Sequence, residues 1–292
     1  MTRHPGRAVA TLSLIGAAFG FSTIAIFTTL LADAGTPLLS AMLGRYVVAS
    51  LVLIPAAGGV GAMRLPGSRI VQVGGIGGLG QALIAFLSLS ALAYIPAAML
   101  VFLFYTFPAW VALRAAVLRT ERLTGPRLFS LALSFGGVGV MVGWPGSEAV
   151  DPLGAGLALS AAVVYAFFIP LIDRLRAGIS AVVATAWVAI GATVIFLAAA
   201  IVMRQVTMPA AALSWLYIIG LGTLSTAVAF TLFLRGLAVL GPLTAAIVTT
   251  TEPFFVATLA ALVLDQPLTP QTVIGGSLIA IAVLVLQRSA RG

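Results

Sequence analysis

Ten apolar runs follow one another along this chain with only short gaps between them: Ala8 to Leu31, Leu38 to Ala57, Ile70 to Ala93, Ala97 to Leu118, Leu128 to Val142, Leu153 to Ile172, Ala181 to Met203, Leu213 to Leu234, Leu243 to Leu264 and Val273 to Leu286. A bilayer hydrocarbon core about 30 Å thick is crossed by roughly 20 apolar residues at a helical rise of 1.5 Å. Ten such crossings use most of the 292 residues, and no stretch outside them is long enough for a soluble domain. Hydrophobic residues make up 61% and charged residues 8%, against roughly a quarter charged in a soluble domain. The expected fold is an all-α integral membrane protein with ten transmembrane helices, and its chemistry has to lie within the membrane.

The net charge of +8 does not point to nucleic acid, because the fifteen arginines stand singly between apolar runs and build no continuous patch. They read instead as topology signals. Arg3, Arg7, Arg64, Arg69, Arg114, Arg119, Arg122, Arg127, Arg174, Arg176, Arg235, Arg288 and Arg291 fall on one side of the expected bundle and Arg204 on the other. The Lys/Arg excess marks the cytoplasmic side, so both termini are expected in the cytoplasm, as for a multi-pass protein of a bacterial cell inner membrane. The first run follows two arginines as a signal peptide would, but its length makes it a retained helix. There is no cysteine, and the single histidine, His4, precedes the first run. Disulfides, thiolate or histidine metal sites and Cys nucleophiles are therefore not expected, and no cofactor is implied.

The chain also repeats itself. At an offset of 145, Gly75 aligns with Gly220, Gly77 with Gly222, Ala82 with Ala227, Thr106 with Thr251, Pro108 with Pro253 and Leu123-Thr124 with Leu268-Thr269, without a gap. Two five-helix repeats, 1–145 and 146–292, follow. Because five is odd, the second copy enters the membrane from the opposite side, and the repeats are expected to be inverted. That plan is common among secondary transporters, with substrate held near the midplane where the repeats meet.

The proline in the fourth and ninth spans, the Thr120-Glu121-Arg122-Leu123-Thr124 and Leu262 to Thr269 segments and the Glu252-Pro253-Phe254 string resemble the drug/metabolite transporter superfamily, EamA family, over the whole chain. Gln266 stands where that family usually has Glu before Pro-Leu-Thr, with Asp265 beside it as a substitute. Within the family the chain most resembles amino-acid and metabolite exporters of the YddG type. The resemblance implies export of a small molecule, with an amino acid as the expected substrate, and leaves monomer and homodimer equally open.

Several residues are candidates for the pathway. Pro108 and Pro253 remove backbone hydrogen bonds to the carbonyls of Phe104 and Thr249, which then need partners from a packed kink or from a wet cavity. Gln81 and Ser88 share a helical face with Gly77 and Ala85, and the repeat sets Thr226 opposite Gln81. Ser13, Gly16, Gly20, Thr23 and Phe27 form a second small and polar stripe. Either stripe is a packing face or a pathway lining. Tyr105 and Tyr165 carry hydroxyls at membrane depth and could stack on and hydrogen-bond a substrate, and Thr251, two residues before the second proline, is a further candidate for substrate binding. Tyr94 and Trp144 suit the membrane interface instead. Gly75 to Gly80 matches G-x-G-x-x-G, but no strand precedes it, so it reads as helix packing, like the pairs Gly16/Gly20 and Gly139/Gly143.

Two charges lie within spans. Arg45 is about 7 residues and Glu252 about 11 residues below the expected outer surface, a depth difference near 6 Å that an extended arginine bridges. The structural alternatives are an ion pair, with Arg45 structural or gating, or a protonated Glu252 satisfying backbone near Pro253; the functional one has Glu252 meet a substrate amine or exchange a proton. A cavity with few fixed charges suits an amphipathic or aromatic solute, neutral amino acids included, better than a phosphate. Drugs and nucleosides are the alternative solutes, and a membrane scaffold is the competing class. Against an enzyme stand the missing HExxH motif, the missing intramembrane cysteine and the missing lysine.

Overall fold

The computed structural model of the chain describes residues 5–117, 125–142, 150–204, 209 and 211–289. The Thr120 to Thr124 segment, Gly143, Trp144 and Glu148 lie outside them. Every regular element among the described residues is helical. In chain order these are α1 (Pro5–Asp33), α2 (Leu38–Ala56), α3 (Gly67–Ala93), α4 (Ala97–Phe104), α5 (Phe107–Val117), α6 (Gly125–Val142), α7 (Pro152–Leu175), α8 (Ala181–Val202), α9 (Ala212–Gly241), α10 (242–248), α11 (Glu252–Val263) and α12 (Pro270–Ser289). Six of them, α1, α2, α3, α7, α8 and α9, are long and apolar enough to cross a membrane. Ala97–Val111, Leu128–Gly137, Glu252–Val263 and Pro270–Ala282 are shorter apolar stretches.

Each break has a cause in the sequence. The chain pauses at Tyr105 and Thr106, with Thr106 N–H bonding Leu103 O and Ala109 N–H bonding Thr106 O, and α5 then starts with Pro108 as its second residue. There a missing N–H costs nothing, because the first N–H groups of a helix have no partner within it. The second break, Thr249–Thr251, is a 3-10 turn that leads into α11 with Pro253 second. The prolines therefore open new helices rather than bending continuous ones, and the two breaks fall at the 145-residue offset. Between α9 and α10 the reason is Gly241, whose φ of 78° suits glycine and precedes Pro242. The expected gap after Leu234 is helix instead, since Gly236 carries α9 onward against Leu14 and the Ala10 carbonyl of α1.

Packing follows a two-fold pattern. The pairs α1 with α9 and α3 with α7 are equivalent under the offset, while α2 with α8 and α6 with α12 pair equivalent helices of the two halves. Directions follow from contacts at the helix ends. Thr28 to Asp33 at the end of α1 and Ser90 to Tyr94 at the end of α3 wall one vestibule, so α1 and α3 are parallel. A Cβ on Gly154 at the start of α7 would meet Tyr94 and Ile95, and Arg69 at the start of α3 donates to the Ala177 carbonyl just past α7. Hence α7 runs opposite to α1, its equivalent.

The glycines set the crossings. Gly77 and Gly222, equivalent under the offset, sit where α3 crosses α8 and α9 crosses α2, with Val188 and Val48 respectively against them. Gly78 faces the Gly191 backbone and Gly80 faces Phe168, so the Gly75 to Gly80 string packs helices. Gly16 and Gly20 press on Leu232 and Ala229. Gly139 corrects one expectation: it is exposed with open space around it and marks no tight helix contact among the described residues.

Candidate functional site

Where α1, α2, α3 and α4 of the first half meet α7, α9 and the start of α11, the bundle encloses a cavity of about 760 Å³, counting its open mouth. α3 supplies Gln81, Ala85 and Ser88, so the polar stripe of that helix faces inward. Phe21, Phe104, Tyr165 and Phe230 form aromatic walls. Tyr165 stands 5.0 Å from Phe104 and 4.8 Å from Phe107 between ring centroids, close enough for the tilted and edge contacts aromatics favour. The cavity shares Leu89 with a larger vestibule of about 840 Å³ between the ends of α1, α2 and α3.

Both broken segments deliver a side chain to this space. Tyr105, in the first break, donates its hydroxyl proton to Glu252 Oε2 at 2.5 Å, and Glu252 is the first residue after the second break. Both are buried, at 2% and 9% exposure. A helix start also places Glu252 where unpaired backbone N–H groups favour an acid.

Arg45 is 3% exposed and lines the same cavity, but it does not pair with Glu252. Of the alternatives for these two charges the ion pair does not form: among the described residues the ion pair is Arg176 with Asp173 at the end of α7. Arg45 instead donates from Nε to Thr226 Oγ1 at 2.7 Å and lies over the Tyr46 ring, 5.0 Å from its centroid. Thr226 accepts this bond because a π-helical turn at Thr223–Val228 presents it, while its own hydroxyl satisfies the Leu221 carbonyl. Gln81 donates to Tyr46 Oη at 3.2 Å, and Tyr46 stacks on Phe196. A smaller pocket joins Gln81, Arg45 and Thr226, as the repeat pairing of Gln81 with Thr226 implies.

One expected lining is not brought in. Thr251 is turned away, its hydroxyl donating to the Val248 carbonyl, because the 3-10 turn leaves that acceptor within reach. The α1 stripe packs on α9: Thr23 meets Ser225 at 2.6 Å and Phe27 meets Tyr217 and Gly220. The cavity face of α1 is Phe21, Ile24 and Ala25. Pro253 is buried at the start of α11, and Pro108 is the second residue of α5. Tyr94 is 45% exposed at the end of α3, as an interfacial aromatic should be.

The EamA-like transporter family model matches residues 8–143 and again 152–288. The chain belongs to the EamA-like transporter family. Two successive matches account for the offset repeat, and this EamA-like chain is a multi-pass membrane transporter of small molecules. A crystal structure of a protein at 22% sequence identity is similar over 97% of this chain and 98% of its own, with a TM-score of 0.72, which shows a shared fold. No curated protein matches the chain in sequence. Sequence reasoning missed Tyr46, Phe21 and Phe230. Tyr46 had one signal, a hydroxyl beside the lone intramembrane arginine; the two phenylalanines had none in a chain this apolar.

Proposed function

We propose that this protein exports small amphipathic metabolites, amino acids with neutral or aromatic side chains, across a bacterial inner membrane by alternating access. In this reading the four shorter apolar stretches complete ten crossings, the units are 1–145 and 146–292, and both termini lie in the cytoplasm. The opposed directions of α1 and α7 support inversion of the two units, and the arginine distribution supports the orientation. The vestibule then opens outward, while the Arg69 bond to Ala177 ties the cytoplasmic end.

The observation that carries the substrate class is Glu252. A carboxyl group at membrane depth, held by Tyr105 and facing a cavity walled by Phe21, Phe104, Tyr165 and Phe230, offers an amine its counter-charge and an apolar side chain its surface. Drugs of the lipophilic-cation type fit the same two features and are the second reading. Membership of the YddG-type branch belongs with the amino-acid reading. Counterflow in proteoliposomes holding only this protein tests it: preloaded phenylalanine or leucine should drive uptake of the labelled amino acid. Counterflow with cationic drugs and none with amino acids overturns the first reading for the second; none with any solute restores the scaffold.

A further inference from the structure

We infer that Arg45 binds the carboxylate of the transported solute, facing Glu252 as the amine-binding residue across one cavity, so the pathway selects molecules carrying both groups. The inference rests on the cavity being the substrate site and reassigns Arg45 from a structural or gating part to a binding one. Its ground is a pair of opposite charges, both deeply buried and lining one cavity, that do not neutralise each other. A buried charge in a membrane protein is costly unless a counter-charge or full hydrogen bonding compensates it. Among the described residues Glu252 accepts a hydrogen bond from Tyr105, and Arg45 donates one from its Nε to Thr226.

The Arg45 bond to Thr226 decides what remains. It fixes the inner edge of the guanidinium and the Tyr46 ring lies against its face, leaving the two Nη groups as donors. Arg45 lines the cavity, and its Nη groups are the donors it can offer there. Two parallel N–H donors are the fork a carboxylate accepts bidentately. A zwitterion brings one counter-charge to each wall and adds no net charge to the membrane interior. A lipophilic cation serves Glu252 alone and sets its own charge against Arg45; a nucleoside serves neither.

The test uses the full chain in proteoliposomes and three competitors of phenylalanine counterflow: phenylalanine itself, phenylalaninamide without the carboxylate, and 3-phenylpropanoate without the amine. In the wild type, removal of either group should weaken competition about 10- to 100-fold, the range for a hydrogen bond to a charged group. Arg45→Gln should bring phenylalanine and phenylalaninamide close to parity while keeping the penalty for the missing amine, and Glu252→Gln should do the converse. Arg45→Lys, which keeps the charge but not the fork, covers the case in which Arg45→Gln fails to fold: it should weaken phenylalanine while sparing phenylalaninamide. A wild type indifferent to the carboxylate, or an Arg45 variant that keeps wild-type discrimination, overturns the inference and leaves the amino-acid reading standing. Absence of competition by any amino acid overturns that reading and this inference with it.

Discussion

Gly191→Ala should be among the most damaging single-methyl changes in this protein. A Cβ built at Gly191 of α8 would lie 1.7 Å from the Gly74 carbonyl oxygen, 2.7 Å from its carbon and 3.1 Å from Gly78 Cα, where ordinary contact begins at 3.4 Å. The obstacle is backbone on α3, so no side chain can rotate away. The two helices must part by roughly 1.5 Å, and overpacking of this kind costs about 1 to 3 kcal/mol. The damage should reach the cavity, because α3 carries Gln81, whose 3.2 Å bond to Tyr46 has little reach to spare. At a few degrees of melting temperature per kcal/mol, the variant should melt roughly 3 to 10 °C early in detergent and transport less per folded molecule. Gly75→Ala is the control, since its added methyl meets only Val71 of its own helix at 3.8 Å. Wild-type melting and kinetics in Gly191→Ala, or equal damage from Gly75→Ala, would refute the packing account of the glycine string.

Tyr105→Phe deletes the donor to Glu252 while keeping the ring among Phe104 and Phe107, so transport should fall about tenfold at nearly wild-type folded yield; unchanged kinetics would leave that hydroxyl without a role. Gln81→Leu should lower transport more than it lowers folded yield, and equal losses in both would make Gln81 a packing residue. Glu252→Gln keeps shape and hydrogen bonding but removes the charge, and should weaken affinity for amine-bearing solutes and abolish any pH dependence of transport; wild-type affinity and pH response would exclude Glu252 from binding. With no native cysteine, a cysteine at Gln266 should react with an impermeant maleimide from outside, as should ones at Ser147 and Gln205 beyond the described residues, whereas Gly67 and Gly178 should stay unlabelled. The reverse pattern would invert the orientation.

The chemistry of the site was legible because polar groups are rare in this chain. Gln81, Ser88, Tyr105, Tyr165, Arg45 and Glu252 were selected for being polar at membrane depth, and all six line one cavity. Small size left the α1 stripe open between packing and lining, because the residues that line a narrow pathway are also those that let two helices approach; in the structure Gly16, Gly20, Thr23 and Phe27 pack on α9. The apolar walls were invisible for a related reason: Phe21 and Phe230 face the cavity while Phe19 and Phe254 are exposed, and periodicity does not distinguish cavity from core or lipid when every face is apolar. The separation of Arg45 from Glu252 was out of reach too. Depth along the membrane normal brought them within an arginine's length, but the π-helical turn that hands Arg45 its Thr226 partner leaves no mark in the sequence pattern.

The two halves explain why the charges of the site are not duplicated. Under the offset Tyr105 corresponds to Thr250, Thr106 to Thr251, Phe107 to Glu252 and Pro108 to Pro253. The proline and the break before it are common to both copies, since a helix start tolerates proline in either. The side chains at the break are not. An exact copy would place two acids or two phenylalanines at symmetric points, giving a cavity with paired like charges or none. Here Phe107 packs against Tyr165, Glu252 holds the equivalent place, and the Tyr105 hydroxyl reaches across to it. Arg45 corresponds to Ile190 and is likewise unmatched. Duplication thus accounts for the fold and the paired breaks, and divergence within them accounts for a site with one acid and one base, each supplied by a different half.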